Sequence, residues 1–371
     1  MTASMTCQFL SPDSPRWNEY LADTIHDFYH LPRYVELCAR QDGGRPLALL
    51  AEEDGNGLFV PLVVRPFDVP ERPEDRCLDA TSPYGYPCPI LKTAGQREAD
   101  GGFFGRAIAA LRSALAELGV VSAFFRLHPL VPLPQEPLRQ HGCVVRHGQT
   151  VVIDLTLSEE QQWRQVRADH RSGINRSKAG GYLVTIDPQW NDLDDFLRVY
   201  TETMRRVGAK DCYFFSRDYF SELRRCQPGA FHLCTVRIGG DVACAGIFSE
   251  RCGIVQFHLS GTSEQHLKRY PSKIMLDHVR RWAKERGNRL FHLGGGLGAG
   301  EDSLFLFKAG FSHLRADFHT WRVVIQEEAY QRRLRWWETS TGTTADPPDG
   351  YFPAYRKPFD IIVQGNLRKV A

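Results

Sequence analysis

Residues 104–118 place apolar side chains at Phe104, Ile108, Leu111, Leu115 and Leu118, a spacing that predicts an amphipathic helix. Gly119 is a natural end for it, because glycine enters the left-handed region without steric cost. Val120–Leu127 then reads as a strand, stopped by Pro129. The plan returns further along the chain. Met275, Val279 and Trp282 mark one face of a helix over 272–287, with Ser272 as a candidate cap and Gly287 as its end, and Leu290–Leu293 is the next strand.

A constant offset of 168 residues carries Glu117–Leu118–Gly119 onto Glu285–Arg286–Gly287. The same offset carries Leu138, Gly142 and Cys143 onto Leu306, Gly310 and Phe311, and the strand 150–155 onto 318–323. One offset shared by separated elements predicts two tandem copies of one α/β unit, residues 1–150 and 151–334. The tail 335–371, rich in Pro, Gly and aromatic residues, is expected to pack back on the first copy.

Composition narrows the class. The 371 residues are 42% hydrophobic and 24% charged, which excludes a disordered or collagen-like chain. No apolar run approaches the ~18 residues that span a bilayer, and Met1–Leu10 lacks the pattern of a signal peptide, so a cytoplasmic protein without integral membrane association is expected. None of the ten Cys are spaced as CxxC and the 13 His contain no HExxH, so no metal site is expected. The net charge of +2 conceals a division: residues 1–150 hold 14 basic and 18 acidic side chains, and residues 151–371 hold 32 and 26. Such asymmetry points to an anionic partner for the second half; a chance imbalance of surface charge is the other reading.

That half opens on a helix with Ser158 and Gln161 in a capping box and Glu159 and Glu160 at its positive end. Arg164, Arg167 and Arg171 come next at spacings of three and four, which places them on one helical face, with Arg176 and Lys178 beyond. Such a stripe suits RNA phosphates; a solvated helix face is the other reading. Arg280, Arg281 and Lys284 form a weaker basic cluster.

The order helix, Gly turn, strand, short helix ending Leu306-Phe307-Lys308-Ala309-Gly310-Phe311 and long strand resembles the C-terminal half of a GNAT acyltransferase unit. The family's usual Tyr is replaced by Leu306. The segment His266–Lys273 stands where the family has its Gly-rich CoA loop, yet it holds no Gly, and Pro271 removes a backbone donor. Two such units without that loop resemble the Fem family, which transfers an amino acid from aminoacyl-tRNA to an amine. Ser82–Pro87, Arg171–Ala179, Phe257–Gly261, Phe291–Gly295 and Leu306–Phe311 match Fem segments in order. His258 and His292 depart from the usual aromatic and Asp. The resemblance implies two GNAT-like domains, each a mixed sheet flanked by helices, the second one catalytic.

It also implies that Lys308 is the catalytic cation. Negative charge builds on the carbonyl oxygen during aminolysis of an ester, and an ammonium placed there favours the transition state. The equivalent position in the first copy is Gln140, so only the second copy keeps a cation. His258 and Asp302 are candidate bases, with a satisfied core His as the alternative for His258. Tyr84 and Tyr86, on a loop stiffened by Pro83 and Pro87, suit an acceptor pocket or an interdomain plug. Tyr213, Arg217, Ser260 and His292 complete the candidate acceptor residues. Gly294–Gly300 contains a G-x-G-x-x-A pattern, but the segment after it is too short for a dinucleotide-binding unit, and a loop closing over substrate is expected instead. The chain is thus expected to use aminoacyl-tRNA as co-substrate, with no cofactor, and to acylate a peptidoglycan precursor or an antibiotic-like small molecule. Two alternatives stand: an acyl-CoA-dependent N-acyltransferase, and a non-catalytic tRNA- or partner-binding protein.

Overall fold

The computed structural model describes residues 5–68, 76–94, 101–347 and 350–358. In chain order the first elements are β1 (Thr6–Leu10), α1 (Pro15–Ala22), α2 (Pro32–Asp42), β2 (Arg45–Glu53), β3 (Asn56–Phe67), β4 (Cys77–Thr81), β5 (Ile90–Lys92), α3 (Gly101–Glu117), β6 (Val120–Arg126) and α4 (Gln135–Gln140). Then come β7 (Cys143–Asp154), α5 (Glu159–Gln165), α6 (Ala168–Ala179), β8 (Leu183–Asp187), α7 (Leu193–Arg206), α8 (Arg217–Cys226) and β9 (Phe231–Ile238). The last are β10 (Asp241–Arg251), β11 (Ile254–Thr262), α9 (Pro271–Glu285), β12 (Leu290–Gly294), α10 (Ser303–Ala309), β13 (Arg315–Val324) and α11 (Glu327–Thr341). No described helix is long and apolar enough to cross a membrane.

The chain forms two compact units. Residues 1–25, 34–146 and 319–371 make unit 1; residues 26–33 and 147–318 make unit 2. In unit 1 the sheet order is β1-β2-β3-β4-β6-β13, with β5 on β3. All pairs are antiparallel except β4–β6. Phe104, Ile108, Leu111 and Leu115 of α3 are buried on this sheet beside Leu49, Val60, Leu62 and Phe125, the face that the spacing predicts.

Unit 2 repeats the plan. Its sheet order is β7-β12-β11-β10-β9-β8, and β11–β12 is the one parallel pair. On one face lie α6, α9 and α10, with Met275, Leu276, Val279 and Phe305 in the core. On the other face α7 approaches so closely that a Cβ on Gly261 would lie 2.3 Å from the Val199 carbonyl oxygen. Gly119 and Gly287 end their helices at φ of +82° and +81°, as the two copies require. Ser272 is not the cap of α9: Tyr270 holds that place and Pro271 is the first helical residue, where its missing N–H costs nothing.

The unit boundaries differ from those expected of a plain tandem. Residues 319–334 belong to unit 1, not to the second domain, because the end of β13 pairs with β6 and Trp321 stacks on Phe125 at 4.8 Å. Reciprocally, β7 comes after α4 in sequence but belongs to unit 2 from His147 onward and pairs with β12 over Val151–Asp154. The last strand of each copy is thus exchanged. Residues 26–33 join unit 2, where Phe28 packs on Phe231 at 5.0 Å. The tail reaches unit 1 through α11 and Tyr355, whose hydroxyl lies 2.8 Å from Ser122 Oγ; residues 359–371 of the expected tail lie outside the described residues.

The capping box at α5 forms in full: Gln161 N–H donates to Ser158 Oγ at 3.1 Å, and Ser158 N–H donates to Gln161 Oε1 at 2.8 Å. Ser158→Ala is expected to cost about 1 kcal/mol, read as a lower urea midpoint.

Candidate active site

Two parallel strands part in the middle of unit 2. The ladder between β11 and β12 runs from Ile254/Leu290 to Gln256/His292, yet β11 continues to Thr262 and β12 to Gly294. Beyond the ladder the two strands are no longer paired with each other, which leaves a notch between them. On its other side β11 carries a bulge: Phe257 pairs with Phe248 and Leu259 with Ile247, so His258 is one residue extra. A bulge disrupts the ladder locally and leaves its extra residue unpaired, which often happens beside functional sites.

Lys308 stands at the mouth of this notch. Its Nζ donates to Gly295 O at 2.7 Å and lies 5.8 Å from the centre of the Phe257 ring. Gly295 comes directly after the end of β12, and Phe257 is the first β11 residue past the ladder. Lys308 is buried on α10, and burial pushes its ammonium down to about 8, against a raising effect of Asp302. An ammonium has three donors; one is engaged with Gly295.

Asp302 is the cap of α10 rather than a proton acceptor. Its Oδ1 accepts from Phe305 N–H and its Oδ2 from Leu297 N–H, each at 2.9 Å. Burial raises its proton affinity, but these backbone donors and the Lys308 charge outweigh it and hold the carboxyl below its ordinary range. The Gly-rich loop is thereby tied down, not loose. A Cβ on Gly296 would meet Gly300 O at 2.2 Å and Asp302 Oδ1 at 2.3 Å, so the loop closes on itself only with glycine there.

The structure does not bring His258 to Lys308. Phe257 stacks on Phe248, whereas the His258 ring lies edge-on to Phe28 at 5.2 Å, on the opposite face of the sheet. Burial pushes His258 down to about 4, against a raising effect of Asp27, and its Nε2 is buried without a partner. It is a neutral imidazole with little appetite for a proton. On the same face Asp27 accepts from Gln256 Nε2 at 2.6 Å, and Gln256 Oε1 lies 2.6 Å from His292 Nδ1. Because the carboxylate fixes the amide's orientation, His292 must carry its proton on Nδ1. His292 is fully buried, so it orients this face rather than lining an open pocket.

Ser260 lies on β11 opposite Gly246. Tyr213 gives its carbonyl to the Tyr200 hydroxyl at 2.7 Å, and Arg217 is ion-paired to Asp194. Tyr84 and Tyr86 lie in unit 1. The Tyr84 side chain is exposed and its carbonyl accepts from Tyr34 Oη at 3.0 Å, while the Tyr86 ring lies 6.1 Å from His128.

The single basic face does not form. The chain leaves the helix at Val166 and Arg167, so α5 ends at Gln165 and α6 begins at Ala168. Arg167 N–H donates to Gly310 O at 2.8 Å, which draws the backbone out of helical geometry. Arg164 pairs with Glu160 at 2.5 Å. Arg167 pairs with Asp169 at 2.5 Å and holds that carboxyl far below its usual range. Arg171 turns back to the Trp163 and Arg164 carbonyls. Arg176 is exposed in the last turn of α6. Lys178 turns to buried Asp277 at 3.2 Å.

Sequence patterns alone do not single out Phe257, Gln256 or Asp27. Phe257 has a signal, as the aromatic next to His258; Asp27 has none, because it comes from a segment far outside the second copy. At the start of α9, Lys273 is buried and ion-paired to Asp169 at 3.1 Å, with Pro271 ahead of it. That end of the helix is closed rather than an open cradle of N–H groups.

Residues 164–302 match the acetyltransferase (GNAT) domain family. No curated protein matches the sequence. Among solved structures, FemX superposes with a TM-score of 0.64 at 12% identity, over 88% of this chain and 99% of FemX. L-PGS from Bacillus licheniformis gives 0.53 at 15% identity, over 84% and 92%. The C-terminal domain of a putative lysylphosphatidylglycerol synthetase from Agrobacterium fabrum gives 0.52 at 15%, over 80% and 92%. The likeness is one of fold: the chain has a Fem-like fold of two GNAT-like units, and its GNAT domain match lies in the second of them.

Proposed function

We propose that the protein is an aminoacyltransferase that forms an amide bond between the aminoacyl group of a charged tRNA and the amine of an acceptor. The acceptor is a peptidoglycan precursor or a small molecule of the antibiotic-precursor kind. The observation that carries this reading is Lys308 at the mouth of the β11–β12 notch, with Nζ between Gly295 O and the Phe257 ring. The neutral amine attacks the ester carbonyl, a C–N bond forms, and the C–O bond to the terminal ribose breaks. The proton of the amine passes to solvent or to the departing ribose oxygen, so no protein base is required. Negative charge on the carbonyl oxygen meets the remaining donors of Lys308.

The GNAT domain match favours a second reading, transfer from acyl-CoA. Closure of the α9 N-terminus by Pro271 and the Lys273–Asp169 pair argues against a pyrophosphate there. The test supplies the protein with charged tRNA or with acyl-CoA, together with candidate primary amines, and tracks amide product by mass spectrometry. Product that requires charged tRNA and disappears after RNase treatment is expected. RNase-insensitive product that requires acyl-CoA overturns the proposal.

A further inference from the structure

A pocket of about 350 Å³ opens in unit 2 where α5, the end of α6 and the C-terminal half of α9 meet. Trp163, Asn175, Lys178, Arg280 and Arg281 line it. Behind them lies Asp277, which is 2% exposed. Its Oδ1 holds Arg280 at 3.0 Å, and its Oδ2 holds Arg281 at 3.0 Å and Lys178 at 3.2 Å. One carboxylate thus faces three cations.

Two lining glutamates temper that surplus. Glu160 is taken by Arg164, which leaves Glu159. The pocket retains about one uncompensated positive charge. Behind its wall two guanidinium nitrogens lack a partner. Arg280 is 1% exposed and spends its terminal nitrogens on Gln162 Oε1 at 2.6 Å and on Asp277, but its Nε has no partner. Arg281 Nε is likewise buried and unpartnered. Buried donors are normally satisfied, and a guanidinium left short of acceptors is matched by an oxyanion.

We infer that this pocket binds a phosphodiester of an RNA strand. The inference rests on the aminoacyl-tRNA reading and specifies where that RNA is held. A phosphodiester carries a single negative charge, which matches the surplus; a phosphate dianion would be opposed by Glu159. The position suits a strand whose end is at Lys308. His170 of α6 hydrogen-bonds the Phe307 carbonyl, next to Lys308, and Lys178 lies eight residues further along the same helix, about 12 Å at 1.5 Å per residue. The anion site is therefore not the stripe of arginines on one helix but a pocket shared by three helices, built around Asp277.

The test titrates the full-length protein with a fluorescently labelled, uncharged tRNA acceptor minihelix over a range of salt concentrations. Arg281→Gln and Lys178→Gln, both at partly exposed positions, are compared with the wild type at equal melting temperature. Each is expected to weaken binding roughly five- to tenfold and to reduce the steepness of log K against log salt by about one phosphate contact. Salt-dependent binding with the same slope in both variants overturns the pocket and leaves the aminoacyl-tRNA reading standing. No salt-dependent binding by the wild type overturns both. Inorganic phosphate that stabilises the wild type but not Arg281→Gln, as strongly as the RNA does, overturns the assignment to RNA in favour of a free phosphate.

Discussion

Lys308→Met is expected to slow amide formation by about 10²–10³-fold while the protein stays folded. That is the usual loss when one preorganised oxyanion donor is removed. Methionine is unbranched like the lysine stem and only one heavy atom shorter, so it fills most of the same space. It also relieves the cost of a buried ammonium, so stability is not expected to fall. The loss should appear in kcat and kcat/KM alike, because the cation acts on charge that exists only in the transition state. Single-turnover rates with excess enzyme separate this from slower product release. Unchanged turnover in Lys308→Met would remove the catalytic assignment and leave the fold intact.

The pH dependence decides how Lys308 acts. With its ammonium held to about 8 by burial, the charged form dominates at neutral pH and is lost above about pH 8. An oxyanion donor then gives a rate that falls on the alkaline side, whereas a lysine acting as a base gives a rate that rises. An acceptor amine that is neutral throughout the range isolates the effect. Stability takes the opposite course. Between about pH 8 and the ordinary lysine value of 10.5, the unfolded chain binds more proton than the folded one, so stability rises with pH across that window. The Met variant should lack both slopes.

Much of this arrangement is legible in the sequence where local pattern sets the structure. The α3 and α9 stripes, their closing glycines and the Ser158 capping box are determined by residues within a few positions of one another. The repeat shows only in its C-terminal half, although β1-β2-β3-β4-β6 and β8-β9-β10-β11-β12 share the same order. Strand meanders tolerate changes in length and side chain, so their shared order leaves no constant offset in the sequence. The exchanged strands are beyond reach, because nothing local to β7 or β13 states which strand it will pair with. The basic stripe fails for a tertiary reason: the bond from Arg167 N–H to Gly310 O interrupts a helix that spacing alone would continue. Lys308 stands out by resemblance and by its contrast with Gln140. The notch around it comes from where one parallel ladder stops, and no spacing of residues encodes that.

The basic pocket supplies the second large effect, on stability. Asp277→Ala is expected to destabilise the protein by about 3–5 kcal/mol, the usual cost of breaking a buried ion pair from one side. Arg280 cannot turn to water. It is 1% exposed, and after the substitution its charge keeps only Gln162 as an acceptor. Arg281 and Lys178 lose the same partner but are partly exposed, with side chains 37% and 40% accessible, so solvent replaces most of what they lose. The loss therefore belongs to Arg280, and a second variant tests that attribution. Adding Arg280→Met to Asp277→Ala removes the stranded charge and is expected to recover much of the urea midpoint, a strong positive coupling between the two sites. If the double variant is instead as unstable as the sum of the two single variants, the damage comes from lost packing on α9. Asp277 would then not be the counter-charge that lets three cations converge. If the coupling is found, one carboxylate is what allows this helix junction to store more positive charge than it neutralises, which is the property an RNA phosphate would use.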